Sequence, residues 1–187
     1  RQRQMCIRDS TSTIVQLLCA RFTLDIVSDL QLTPHPEGGF YREYYRSSGE
    51  VLTESGMRSN ATSIYFYLPA NSVSHFHRLK NDELWFHHEG GSARVHLLFD
   101  DGRLETTSIG ALRNGATPYV VFPRDVWFAA EADSEGILVS CVVAPGFDFA
   151  DFEIADRAFL LRSFPEHSTC IERCTSQPGT TLSLASA

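Results

Sequence analysis

The chain is 187 residues long, with 23 acidic against 16 basic side chains, a formal net charge of −7 and 43% hydrophobic residues. That is the size and composition of one globular domain that can bury a core without a disulfide or metal staple. The negative charge, with no window dominated by Lys and Arg, excludes an electrostatic grip on nucleic acid or on an anionic membrane. The longest apolar stretch, residues 137–145, is far shorter than the roughly 20 residues a membrane span needs.

The N-terminal segment carries Arg1, Arg3 and Arg8 ahead of a short apolar run, loosely like a secretory leader. Gln16 interrupts that run and Arg21 follows it, so residues 1–23 read as a disordered or non-native leader. The folded domain is expected over 24–167. Residues 168–187 are rich in Ser, Thr, Pro and Gly and are expected to form a disordered tail. Five cysteines, Cys6, Cys19, Cys141, Cys170 and Cys174, form no framework of pairs and fit a reducing, cytoplasmic setting. The Cys170-x3-Cys174 spacing has no second ligand pair beside it in sequence and reads as two incidental thiols.

In chain order, a short amphipathic helix comes first, with Leu24, Ile26, Val27 and Leu30 on one face after a Thr23 cap. Period-two alternation follows. Over 63–68 it sets Ile64, Phe66 and Leu68 on one face and Tyr65 and Tyr67 on the other, before a turn at Pro69-Ala70-Asn71. Residues 93–99 alternate in the same way up to Asp100-Asp101-Gly102, a hairpin signal, and 104–109, 119–122, 126–130 and 136–144 continue the series. A second helix is expected with Ile154, Ala158 and Leu161 on its apolar face. Many short strands at this spacing predict an all-β sandwich or small barrel.

Four of the seven histidines lie between Ser74 and Gly90. On a strand His75 and His77 share a face, about 6.6 Å apart at roughly 3.3 Å per residue, close enough for one metal ion. After a polar turn the chain returns with Glu83, Trp85 and His87 on one face, so Glu83 folds back towards the histidine pair. The opening of the barrel is therefore expected to be lined by His75, His77, Glu83 and Trp85. Tyr65, Tyr67 and Trp127 are the aromatic side chains expected to hold an organic ligand beside them.

His75-x-His77, Glu83 and Gly90 together resemble the first cupin motif. A second motif is expected at 115–128, where Pro123 matches, Asp125 replaces a glycine and Phe128 replaces the metal-binding histidine. Three separated stretches, 34–43, 76–85 and 143–153, resemble the uncharacterised cupins of the DUF985, or Cupin 5, family, over about 24–167. The resemblance implies a cupin-type double-stranded β-helix, a jelly-roll barrel with short flanking helices. It also implies a homodimer, which agrees with surplus aromatics at Phe40, Tyr41, Tyr44 and Tyr45. In shape it points to the sugar-nucleotide epimerase branch of cupins, and it names no reaction.

Three functions follow for a cupin that binds a small-molecule ligand. The first is an epimerase or isomerase with His77 as catalytic base and Tyr65 as acid, His75, Glu83, Trp85, Tyr67 and Trp127 binding substrate. The second is a non-catalytic module that binds or senses a metabolite. The third is a metal-dependent oxygenase holding zinc, iron or manganese on His75, His77 and Glu83. With Phe128 in place of the fourth ligand, less than one tightly held metal per chain is expected there.

Overall fold

The computed structural model describes residues 25–176. The expected leader and the part of the expected tail beyond residue 176 lie outside them. The chain enters through α1 (Ile26–Asp29), capped by Asp25, and a short β1 (Thr33–Pro34). The alternating segments then become β2 (Phe40–Arg46), the hairpin β3 (Glu50–Thr53) and β4 (Gly56–Ser59), β5 (Thr62–Leu68), β6 (Val73–Leu79) and β7 (Asp82–Gly90). They continue as β8 (Ser92–Leu98), β9 (Leu104–Gly110), β10 (Tyr119–Phe122), β11 (Trp127–Ala132), β12 (Ile137–Ala144) and β13 (Phe152–Ile154). Two helices, α2 (Arg157–Ser163) and α3 (Ser168–Arg173), complete the described chain. No described helix is long and apolar enough to cross a membrane.

Two antiparallel sheets face each other, with orders β1-β2-β5-β12-β7-β10 and β13-β6-β11-β8-β9. This is a jelly roll whose sheets are not closed into one barrel. Phe66, Trp85, Val95, Ile109, Phe122, Phe128 and Val139 fill the space between them. Each such side chain removed from water contributes about 2 kcal/mol. The alternation of β5 places Ile64, Phe66 and Leu68 inwards and leaves Tyr65 and Tyr67 on the outer face.

A second apolar cluster lies behind the five-stranded sheet, where Phe76, Leu98 and Trp127 meet Leu160, Phe164 and Ile171. Here the structure corrects two expectations. Ile154 is drawn into β13 by pairing with His77, so α2 begins later, with the Asp156 side chain accepting from Phe159 N at 2.7 Å. The expected tail begins instead as α3, because Cys170, Ile171 and Cys174 bury against the sheet and Phe76 N donates to the Cys174 carbonyl at 2.7 Å. A low average of apolar residues hid a short, well-placed cluster.

Three β-bulges break the period of two, one of them leaving His88 of β7 unmatched against β12, and those in β6 and β2 re-aim side chains into the interior. In β6, Phe128 pairs with His77 and Ala130 with Ser74, so Ala129 alone faces His75 and Phe76. Ser74 and His77 both point between the sheets as a result, and His75 becomes the surplus residue. Its amide and its Nδ1 both lie 2.8 Å from the Glu37 carbonyl, which satisfies the donor that the bulge removes from the ladder. In β2 the shift between Glu43 and Tyr45 likewise turns both Glu43 and Arg46 inwards.

Candidate functional site

Between the sheets, at the end bounded by the loop before β2 and the segment 147–152, lies a cavity of about 350 Å³. Its polar lining comes from His35, Glu37, Glu43, Arg46, His77 and Glu83, and its apolar wall from Ile64, Phe66, Val143, Phe147, Phe149 and Phe152. This size lies near the lower end of the roughly 300–1,000 Å³ of small-molecule sites.

Glu37 sits at the centre. It is 5% exposed and reaches the site because Gly38 takes a φ of +107° against β6, where a Cβ would come within 2.4 Å of the Val73 carbonyl oxygen. Only glycine combines that backbone angle with so close an approach. Ser74 Oγ donates to Glu37 Oε1 at 2.8 Å, while His35 Nδ1 and His77 Nε2 each lie 3.2 Å from Oε2. Burial alone would raise the Glu37 carboxyl, but the two histidines and the hydrogen bonds from His35 and Ser74 outweigh it and hold the group at about 2.

His77 is buried, and its Nδ1 lies 2.7 Å from the His75 carbonyl. A carbonyl only accepts, so Nδ1 carries the proton and the neutral ring keeps its lone pair on Nε2, facing Glu37. Burial lowers the affinity of this ring for a second proton, and the Glu37 charge partly restores it.

Glu83 enters from β7, with Trp85 Nε1 donating to its Oε1 at 3.0 Å. Burial, reinforced by the nearby Glu37 charge, pushes its carboxyl up to about 8 against the hydrogen bonds from Trp85 and Cys141. One cavity thus holds an ionised carboxylate and a protonated carboxyl at neutral pH. Burial also drives the Cys141 thiol upwards, with Glu83 and Glu37 adding to the effect, so it is a neutral wall group.

Of the residues picked out in the sequence, the cavity gathers His77 and Glu83. Trp85 is buried in the core beneath them as the partner of Glu83. The bulge removes His75 from the face it was expected to share with His77. Tyr65 and Tyr67 lie on the outer side of their sheet, and Tyr65 stacks on Tyr44 at 4.5 Å. Trp127 packs behind the other sheet under the Arg78 guanidinium, 4.3 Å from the ring centroid. Sequence reasoning missed Glu37, His35 and Arg46. The stretch 34–43 contained Glu37 and His35, with Arg46 three residues beyond it, but a carboxylate before two glycines reads as a turn until the backbone is placed.

The metal set expected of a cupin does not fit this cavity. Among the described residues, donor atoms of His75, His77 and Glu83 do not gather within 4.8 Å of one another. Phe128 lies where the second motif has its histidine, its ring 4.0 Å from that of His77. Glu37 stands between two imidazoles as a hydrogen-bond and charge partner. Asp125, in the motif's glycine position, adopts the left-handed φ of +61° that such a position demands.

The sequence matches the family described as "Cupin superfamily (DUF985)" over residues 24–155. It is 32% identical over 144 residues to the uncharacterized protein YML079W of Saccharomyces cerevisiae, covering 67% of this chain and 71% of that one. A hypothetical protein from Leishmania major superposes with a TM-score of 0.75 at 34% identity, over 81% of this chain and 97% of that chain. Protein SO0799 from Shewanella oneidensis gives 0.74 at 37% identity, over 81% and 96% of the two chains. A Bacillus subtilis oxalate decarboxylase with Mn(II) centres shares the fold at a TM-score of 0.52 and 18% identity, over 82% of this chain and 42% of its own. The family match over most of the body, the relatives of similar length and the facing antiparallel sheets agree: this chain belongs to the cupin superfamily, in its DUF985 family.

Proposed function

We propose that the cavity is the active site of an isomerase or epimerase that moves a proton beside a carbonyl of a small organic substrate. The observation that carries this reading is the pair of buried carboxyl groups with opposite charge states, Glu37 near 2 and Glu83 near 8, in one cavity with a neutral His77. Environments that push two titratable groups apart assign base and acid roles. The ionised Glu37 carboxylate takes the proton from the substrate carbon and passes it to His77 Nε2, 3.2 Å away, so that the pair ends as an imidazolium beside a carboxylate. Glu83 donates a hydrogen bond or its proton to the carbonyl oxygen as charge develops there. This gives to Glu83 the acid role that Tyr65, on the outer face, is badly placed to fill. Arg46, paired with Glu43 at 2.7 Å on the cavity wall, supplies a cation for a polar end of the substrate, and the phenylalanines of 147–152 shield the rest from water.

The test is exchange in D2O. Wild-type protein incubated with a panel of α-hydroxy ketones and sugars should replace a carbon-bound hydrogen by deuterium, followed by NMR. His77→Gln and Glu83→Gln should each slow exchange at least a hundredfold. Micromolar binding of a panel compound with no exchange by wild type would replace this reading with the non-catalytic binding module.

The partner reading is a second copy of this chain. Tyr44, Tyr45, Phe86, Tyr119 and Val121 are exposed large side chains of the six-stranded sheet, with Phe86 stacked on Tyr119. An apolar face of this extent is what a two-fold dimer covers. Light scattering should give twice the chain mass at micromolar concentration, and Phe86→Glu with Tyr119→Glu should return the monomer. A wild-type monomer at that concentration would remove the idea.

A further inference from the structure

On the opposite side of the five-stranded sheet from the cavity, one histidine and two cysteines from distant parts of the chain converge. The alternation of β8 that sends Val95 and Leu97 inwards sends His96 outwards, under α3. The four-residue spacing of Cys170, within α3, and Cys174, at its C-cap, sets both thiols on the side that packs on this sheet. One donor atom from each of the three residues lies within 4.8 Å of the others, and all three are buried. They form the one such group among the described residues.

We propose that His96, Cys170 and Cys174 form a zinc site that fastens the C-terminal helix to the sheet. Zinc–sulfur bonds of about 2.3 Å and zinc–nitrogen bonds of about 2.0 Å place tetrahedral donors some 3.5–3.8 Å apart, so the group needs only a small contraction. Two thiolates and an imidazole suit zinc and lack the oxygen donors that calcium or magnesium require. Binding breaks two S–H bonds, releases both protons to solvent and leaves zinc neutralised by two thiolates, with no change of oxidation state.

The surroundings are those of a supported ligand rather than of stray thiols. His96 Nδ1 lies 3.0 Å from Thr106 Oγ1, and Nε2 lies 2.8 Å from Glu131 Oε1. Arg173 in turn holds Glu131, at 3.1 and 3.2 Å. Zinc takes one ring nitrogen in place of its present partner, and the partner left on the other nitrogen orients the ligating imidazole. Three protein donors leave the fourth tetrahedral position to a water. Cys170-x3-Cys174 lacked a further ligand in sequence, and the fold supplies it from β8. Both cysteines lie beyond the region that matches the family, 24–155, whereas His96 lies within it.

The experiment uses the full chain, reduced, stripped with a chelator, reloaded with zinc and passed through gel filtration before its metal is counted. One equivalent of zinc is expected, with a melting temperature raised by several degrees. Cobalt(II) in its place should give visible bands of a tetrahedral ion and near-ultraviolet thiolate charge transfer. Cys174→Ser and His96→Ala should each weaken binding at least a hundredfold, while His77→Ala keeps one equivalent. Wild type that takes up no zinc, or cobalt spectra without thiolate charge transfer, would overturn the proposal. So would full retention of zinc by Cys174→Ser, or its loss in His77→Ala, which would move the ion to the cavity. The reading of the cavity is independent of every one of these outcomes except the last.

Discussion

Replacing Glu83 by glutamine should make the protein more stable than wild type above pH 6, by on the order of 3 kcal/mol at pH 7. The folded-state carboxyl titrates near 8, above its usual 4.5, because burial disfavours its charge. A raised value means that the stabilising contribution is complete below 4.5 and is lost as the pH rises through 8. Wild type must either hold the proton or place a second buried charge beside Glu37. The glutamine keeps the shape and can still accept from Trp85 Nε1, so it removes only the titration. Urea unfolding of both proteins from pH 4 to 9 checks this. A stability difference that stays constant over that range would show an ordinary carboxylate, and Glu83 would then lose its role as acid.

Replacing Glu37 by alanine should cost about 3–5 kcal/mol, because it strands His77, His35 and Ser74 around an empty position. Glu37→Gln should cost less, since its carbonyl still accepts from Ser74 Oγ. Here the pH dependence runs the other way. The group titrates near 2, below its usual 4.5, so its contribution is present above 4.5 and is lost as the pH falls towards 2. Wild type should therefore lose stability relative to Glu37→Gln only under acid, by on the order of 3 kcal/mol. Without the Glu37 charge, burial acts on His77 unopposed, and NMR titration of its ring should move to lower pH. A His77 titration unchanged in Glu37→Gln would break the link between the two residues on which the proposed base depends. The two variants therefore probe opposite ends of the pH scale from the same cavity.

Much of the architecture was legible because it rests on local chemistry. Alternation over 63–68 and 93–99, the Asp-Gly turn at 101–102 and the spacing of the later strands are properties of neighbouring residues, and the strands follow them. His77 and Glu83 were legible for the same reason, since each lies on the inner face of a regular strand segment. His75 was not. A bulge depends on which residue of a partner strand stands opposite, and the β6 bulge is held by a carbonyl at Glu37. Nothing in the spacing of two histidines records that contact.

The same division holds at both sites. The sequence by itself determined the all-β class, the cupin motifs and the substitution of Phe128 that breaks the fourth position of the cavity's metal set. Tertiary structure decided that Glu37 stands at the centre of the cavity, that Tyr65, Tyr67 and Trp127 face away from it, and that Cys170 and Cys174 meet His96. Strand periodicity is set by backbone geometry within a few residues, whereas the charge state of a buried carboxyl and the convergence of ligands depend on groups brought together from distant positions in the chain.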